Sequence, residues 1–529
     1  MEIRKKAVTL ALIGAFLAAG ITAWGASGKQ GGKPPEDPTD PPVTPIVGYY
    51  FWRLGHMDGP HDESKALGIS RDGKVAVGAT KVVDFIKAFR LDIDWAISTG
   101  DGVAPLYNEL QVQENMGNGI SYAASDMLDE TGVPVTDCAY SKVDPEDESS
   151  AENLDWCGSL PVGTLTTGTV SYAAEWLWAF DPEALEPNYV AIPDFGGGIS
   201  DMKANGVSAD GMIFVGTGNT KTGQQAFLAD MATATTDETT DETIVVPVQL
   251  TIAEILSDGT VGQTLQTSSA QAVSADGTII AGYGGVKTGN KAFVTIYGGT
   301  VTDEAGNVSA ILTSTILPTI PGGKFAEAYA LTTVTDETTG EITAIYVAGR
   351  SDSAQGPQAC IWFQGDDPAT EETETETWVV KGIGGLSTKK YNSVATGIVH
   401  RPGSTAGELM VVGTTQTILY PSEAFVWTGN PVLVADGPYT LPDGTESDWI
   451  GYMYDLEKIL TKTGAAESSG MGSEWILNQG TGVALSYVTN AGDNGPSARI
   501  VGWGTNPEGG IEAWLVTNYP YDDLVFIKE

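Results

Sequence analysis

Ala66-Leu67-Gly68-Ile69-Ser70-Arg71-Asp72-Gly73, followed by Val75-Ala76-Val77-Gly78 and then Ala88-Phe89, decides the fold, because the same order of residues returns along the chain. It comes back as Val207-Ser208-Ala209-Asp210-Gly211 with Ala226-Phe227, and as Ala272-Val273-Ser274-Ala275-Asp276-Gly277 with Ala292-Phe293. The glycine placed at the end of the second strand of each unit recurs at Gly78, Gly216, Gly282, Gly349, Gly413 and Gly502, with gaps of 138, 66, 67, 64 and 89 residues. A period of this size marks stacked supersecondary units. The first gap is about twice the common one, so a unit lies inside it. There Ile120-Ser121-Tyr122-Ala123 stands for a first strand and Ala174-Glu175-Trp176-Leu177-Trp178 for a third. Seven units result.

Each unit reads as four strands. An Ala/Ile/Ser strand runs into Asp-Gly, which suits a two-residue hairpin because both positions tolerate positive φ. A return strand such as Ile279-Ile280-Ala281-Gly282 follows, then a turn such as Lys287-Thr288-Gly289-Asn290, the Ala-Phe strand, and a fourth strand leading onward. Small residues on the first strand suit crowding at an axis, and aromatic residues suit the widening space between sheets. One such sheet leaves both faces wet, whereas seven in a circle cover them. The expectation is an all-β, seven-bladed β-propeller of four-stranded blades. Val47 to Gly55 precede the first unit without partners of their own, and Ile511-Glu512-Ala513-Trp514-Leu515-Val516 lie near the end. The N-terminal strand is therefore expected to complete the seventh sheet.

The chain has 66 glycines, and its 27 Lys and Arg face 68 Asp and Glu, for a formal charge of −41. So negative a surface repels phosphate, which excludes nucleic acid and disfavours anionic membranes. Weak Ca2+ binding is the one cofactor the charge suggests, and the expected reading is a solvated acidic surface with no cofactor. The acidic, Thr-rich stretches 235–243, 335–341 and 369–377 read as solvated loops. Met453-Tyr454-Asp455-Leu456-Glu457-Lys458-Ile459-Leu460 has helical spacing and reads as a packing helix.

Arg4, Lys5 and Lys6 precede an uncharged apolar run from Ala7 to Ala26, so residues 1–26 read as an export signal or an uncleaved membrane anchor. Residues 27–46, rich in Pro, Gly and charge, read as a linker, and 47–529 as the propeller. The expected location is the exterior or the cell envelope, with membrane contact only through the N-terminal segment. In an oxidising exterior Cys138 and Cys157 are expected to form a disulfide. Cys360, in Gln358-Ala359-Cys360-Ile361-Trp362, stands where other units put Phe and reads as a small buried apolar residue.

A search for catalytic signatures finds no Gly-x-Ser-x-Gly elbow, His-Glu-x-x-His, Cys-x-x-Cys or phosphate loop. The three histidines are His56, His61 and His400. His56 and His61, with Asp58, Asp62 and Glu63, have the residue types of a metal site but fall in a short turn, and the expected reading is a solvated turn. His400 reads as part of a loop beside Arg401-Pro402. Ser-x-Asp-Gly differs from the Asp-box of sialidases, which places a residue between Asp and Gly and ends in Trp. Trp176, Trp178, Trp362, Trp427 and Trp514 fall on the third strand and read as packing between sheets.

The units resemble the HAF repeats of bacterial surface and secreted proteins, found also in PEP-CTERM-type proteins and autotransporter passengers. Most specific is the last unit: Asp455-Leu456-Glu457-Lys458-Ile459-Leu460, Trp475-Ile476-Leu477, Ile500-Val501-Gly502-Trp503-Gly504-Thr505-Asn506-Pro507-Glu508-Gly509 and Ala513-Trp514-Leu515-Val516. The resemblance covers about Tyr49 to Tyr519. It implies a propeller-like fold and an exterior location, and it brings no catalytic residues. The expected function is a non-catalytic surface binding or scaffold module for a protein or glycan. The alternatives are an extracellular carbohydrate-active enzyme, a lyase or hydrolase, and a self-associating envelope or matrix protein.

The Cys138–Cys157 bridge closes a loop of about 20 residues and is expected to contribute about 3 kcal/mol. Peptide mapping without reductant should recover the two cysteines in one linked peptide, and Cys138→Ser should lower the melting temperature.

Overall fold

Small and apolar residues alternate along Ser64–Ile69, Val75–Val82 and Phe85–Asp92, which pair antiparallel in chain order, and Gln111–Val112 adds a fourth strand on the outer edge. The computed structural model describes residues 50–520 apart from connecting segments, of which 94–110, 127–158 and 366–376 are the longest. The same meander is built six more times. First and third strands are Asn118–Ala124 and Val170–Leu177 in blade 2, Lys203–Val207 and Gly223–Asp230 in blade 3, and Thr267–Val273 and Gly289–Thr302 in blade 4. Blades 5 and 6 begin at Ala326–Thr335 and Ser393–His400, and blade 7 at Ile476–Ser486. Each first strand packs beside the next, and that of blade 7 beside that of blade 1, so the sheets form a closed seven-bladed propeller.

The unit hidden in the long gap is blade 2. Its glycine is Gly163, facing Ala174. Elsewhere the equivalent glycine faces an aromatic ring, as in Gly78–Phe89, Gly216–Phe227 and Gly502–Trp514, or Cys360 in blade 5. Cys360 is fully buried where other blades carry Phe, as the repeat implied. Trp362, Trp427 and Trp514 are buried between sheets, while Trp178 lies outside the described residues. These glycines sit within the second strand, which runs on to Val82 in blade 1, and do not end it.

All seven first strands carry a β-bulge at the same place. The pairing shifts between Ala66 and Gly68, Ser121 and Ala123, Ala204 and Gly206, Ala270 and Ala272, Ala328 and Ala330, Ala395 and Gly397, and Gly480 and Gly482. The residue after each bulge is Gly or Ala, because a neighbouring backbone lies against it. A Cβ on Gly68 would strike the Tyr122 carbonyl of blade 2, and one on Gly482 would meet Ile69 N of blade 1 at 3.3 Å. Bulge side chains also tie blades together. Asn205 donates to the Ala270 carbonyl (2.8 Å), Thr396 to Gly480 (2.6 Å) and Thr481 to Ala66 (2.8 Å), each one blade onward.

Tyr50–Gly55 pairs antiparallel with Ile511–Pro520 and completes blade 7. Glu512, wholly buried, accepts from Arg53 Nε (2.9 Å) and Nη2 (2.7 Å), from Gly55 N (3.2 Å) and from Asn506 (2.8 Å). That fork raises the Arg53 pKa further, chiefly through the Glu512 hydrogen bond. Phe51 packs edge-on to Trp475 with ring centroids 5.2 Å apart.

Several expectations need correction. Asp-Gly does not form a two-residue hairpin: Gly73 N donates to Ser70 O (3.0 Å) and Ser70 N to Val75 O (2.8 Å), so the turn is centred on Arg71-Asp72 and Gly73 follows at φ +72°. Ser70 and Asp72 side chains brace it, with Ser70 Oγ accepting from Val75 N (2.9 Å) and Asp72 from Lys74 N (3.0 Å). Blade 4 is six-stranded, since Ala253–Ile255 and Val261–Thr264 extend its outer edge. Met453, Tyr454 and Asp455 end a strand (Ile450–Asp455), and helix α1 covers only Leu456–Lys462; the apolar spacing that suggested a longer helix is shared with strand pairing to Phe425–Asn430. His400 closes a strand, stacked 6.2 Å from Tyr346, and is not in a loop. Stretch 235–243 includes a short hairpin of Thr235–Asp237 with Glu242–Ile244. The exposed 335–341 stretch is a turn in which Asp336 accepts from Thr338 N and Thr339 N. Cys138, Cys157, His56, His61 and residues 1–46 lie outside the described residues.

Arg53→Met leaves Glu512 buried beside an open-ended closure and is expected to cost about 3 kcal/mol, whereas Arg53→Met with Glu512→Leu should recover much of it. Calorimetric melting of the three proteins checks this.

Candidate functional site

Because the strands meander, every first-to-second and third-to-fourth connection lies at one end of the ring, the turn end, and the remaining connections lie at the other, the entry end. More than half of the 68 acidic residues fall in the segments joined to strands at the turn end. Residues 127–158 carry nine acids and one lysine, and 366–376 carry six acids and no base. Toward the entry end the inner strands present Lys65, Lys203 and Arg350.

The turns of blades 1 to 4 are knitted together. Asp72 N donates to Asp126 Oδ1 (3.1 Å), Asp126 N to Ala209 O (3.0 Å), and Ala209 N to Ala275 O (2.9 Å). Arg71 of blade 1 donates through Nη2 to the Val273 carbonyl of blade 4, so its side chain crosses the mouth of the ring. Its Nη1 is buried and has no hydrogen-bond partner among the described residues, and burial lowers the Arg71 pKa against the opposing charges of Asp126, Asp276 and Asp210. Burial, helped by Asp72, lifts Asp126 to about 6 although Arg71 opposes the rise.

The second cluster lies toward the entry end, between blades 4 and 5. Glu327 precedes the small Ala328 on a first strand and pairs across the ladder with Arg350. Its carboxylate accepts from Arg350 Nε (2.6 Å), Tyr329 Oη (2.7 Å) and Asn290 Nδ2 (2.6 Å). Burial opposes ionisation, but these three donors outweigh it and hold the carboxyl below its ordinary value. Burial and the bond to Glu327 keep Tyr329 protonated far above its usual range, and burial with the Glu327 charge raises Tyr283. The Tyr283 and Tyr329 rings lie 5.7 Å apart at 59°. The Arg350 guanidinium lies 5.5 Å from the Phe325 ring and is half-buried. A related contact, Lys65 Nζ 4.4 Å over the Trp503 ring, joins blades 1 and 7.

Chemically the cluster is preorganised by its own hydrogen bonds. Its carboxylate is held ionised by three hydrogen bonds and the Tyr329 phenol is committed as a donor, so neither is poised to move a proton near neutral pH. Sequence reasoning did not single out Glu327, Arg350, Tyr283 or Tyr329. The available signal was the recurrence of charge immediately before the small residue of a first strand, at Lys65, Lys203 and Glu327. Among the described residues no group of three or more His, Cys, Asp and Glu is arranged to hold a metal, and no helix is long and apolar enough to cross a membrane. Compared with known proteins, the chain matches no family model and no curated protein.

Asp126 supplies a pH test. With a folded pKa near 6 above the ordinary 3.8, the folded state holds an extra proton between about pH 4 and pH 6, so stability falls as pH rises through that window. Asp126→Asn lacks the titration, and its melting temperature relative to the parent should rise between pH 4 and pH 7. Glu457, lifted to about 7 chiefly by burial, has the same sign in both proteins and cancels in the difference.

Proposed function

We propose that the chain is an exported, non-catalytic binding ring of the cell exterior or envelope, akin to the HAF-repeat proteins its units resemble. The propeller fold is consistent with a binding or scaffold role. The observation that carries the reading is the Glu327 cluster, where a carboxylate, a guanidinium and the Tyr329 phenol spend their proton-transfer capacity on one another beside the Tyr283 ring. Export is supported by the apolar run after Arg4-Lys5-Lys6 and the Pro-rich segment behind it. The turn end carries Arg71 across its mouth, so the entry end is the side for a ligand.

The convergence of Glu, Arg and Tyr also favours a second reading, a carbohydrate-active enzyme working at the same cluster. Incubating the full chain with a panel of glycans separates the two. Retained glycan with no shortened or unsaturated product by mass spectrometry, and a melting shift of several degrees at saturating ligand, is the expected result. Products that vanish in Glu327→Gln would replace binding by catalysis.

A further inference from the structure

Building on the reading of a binding ring, we propose that the Glu327–Arg350 cluster between blades 4 and 5, toward the entry end, takes the carboxylate of an acidic sugar, with Arg350 as its anchor. Arg350 is fixed on both sides: Nε is bound to Glu327 Oε2 at 2.6 Å, and the guanidinium lies 5.5 Å from the Phe325 ring. Neither terminal nitrogen donates to a described residue, and 32% of the side chain is exposed. A guanidinium held this way offers its two terminal N–H groups as a rigid fork, the geometry that takes a carboxylate in two parallel hydrogen bonds. Because Glu327 occupies the side of the guanidinium, the end is what remains for the ligand.

The surroundings favour a sugar over another carboxylate. Asn290 commits its amide nitrogen to Glu327, while its oxygen takes no hydrogen bond from a described residue and is an acceptor for a sugar hydroxyl. Tyr329, on the same carboxylate, and Tyr283 add tilted aromatic faces. Lys65 and Lys203 stand toward the same end of the ring as Arg350, and their attraction for an approaching anion acts within a screening length of about 10 Å.

Titration calorimetry of the full chain with galacturonate, glucuronate and guluronate hexamers tests the assignment, with a glucose hexamer and hexaglutamate as comparisons. At least one uronate hexamer should bind, and bind at least tenfold more tightly than either comparison. Arg350→Gln should weaken it at least tenfold and Arg350→Lys nearly as much, since an ammonium lacks the fork, while Lys221→Gln at the same end should change it less than twofold. If Arg350→Gln fails to fold around the abandoned Glu327, the double variant Glu327→Gln/Arg350→Gln, neutral at both positions, gives the same readout. Failure of all three uronates to bind, equal binding of hexaglutamate or of the glucose hexamer, or unchanged affinity without Arg350 overturns the assignment. Equal binding of the glucose hexamer would do so while leaving the binding ring standing, whereas shortened products would sink the non-catalytic reading and leave the role of Arg350 intact.

Discussion

Seven backbones cannot meet around one axis unless almost nothing projects between them, and this crowding governs the rest of the molecule. Each first strand meets it with a bulge followed by Gly or Ala, so that the carbonyl or Cα of the next blade can settle against the chain. The extra residue is then free to reach sideways, which is how Asn205, Thr396 and Thr481 come to bond the following blade. Further out the constraint relaxes and the spaces between sheets widen. Phe and Trp fill them, lying over the glycine of the adjacent strand.

That graded filling is why the architecture was readable from the chain. Small residues inside and rings outside left a spaced pattern, and closure by Tyr50–Gly55 followed from a strand without partners. Blade 2 was faint for a local reason: Ala174 faces Gly163, so the Ala-Phe signature is missing there. The Ser-x-Asp-Gly turn was misjudged because dipeptide preference ignores side-chain bracing, and Ser70 and Asp72 stabilise a longer loop. Met453 to Asp455 show the ambiguity of short apolar runs, which tertiary pairing with the neighbouring strand resolved.

The Glu327 cluster was illegible for a different reason. Glu327, Arg350, Tyr329 and Asn290 come from three strands of two blades, and no spacing along the chain reports a cross-ladder ion pair or a contact between blades. What the sequence did hold was the gross charge.

The closing contact has a consequence for how the molecule is made. Trp52 donates to Thr517 across 465 positions of chain, so the first of the described strands waits for the last of them. Until then the nascent polymer carries an unsatisfied edge, Phe51 has no Trp514 to cover it, and Glu512 does not yet exist to receive Arg53. Assembly must be slow relative to local hairpin formation, and a chain cut short at its carboxyl end would be left as an open arc with two sticky borders.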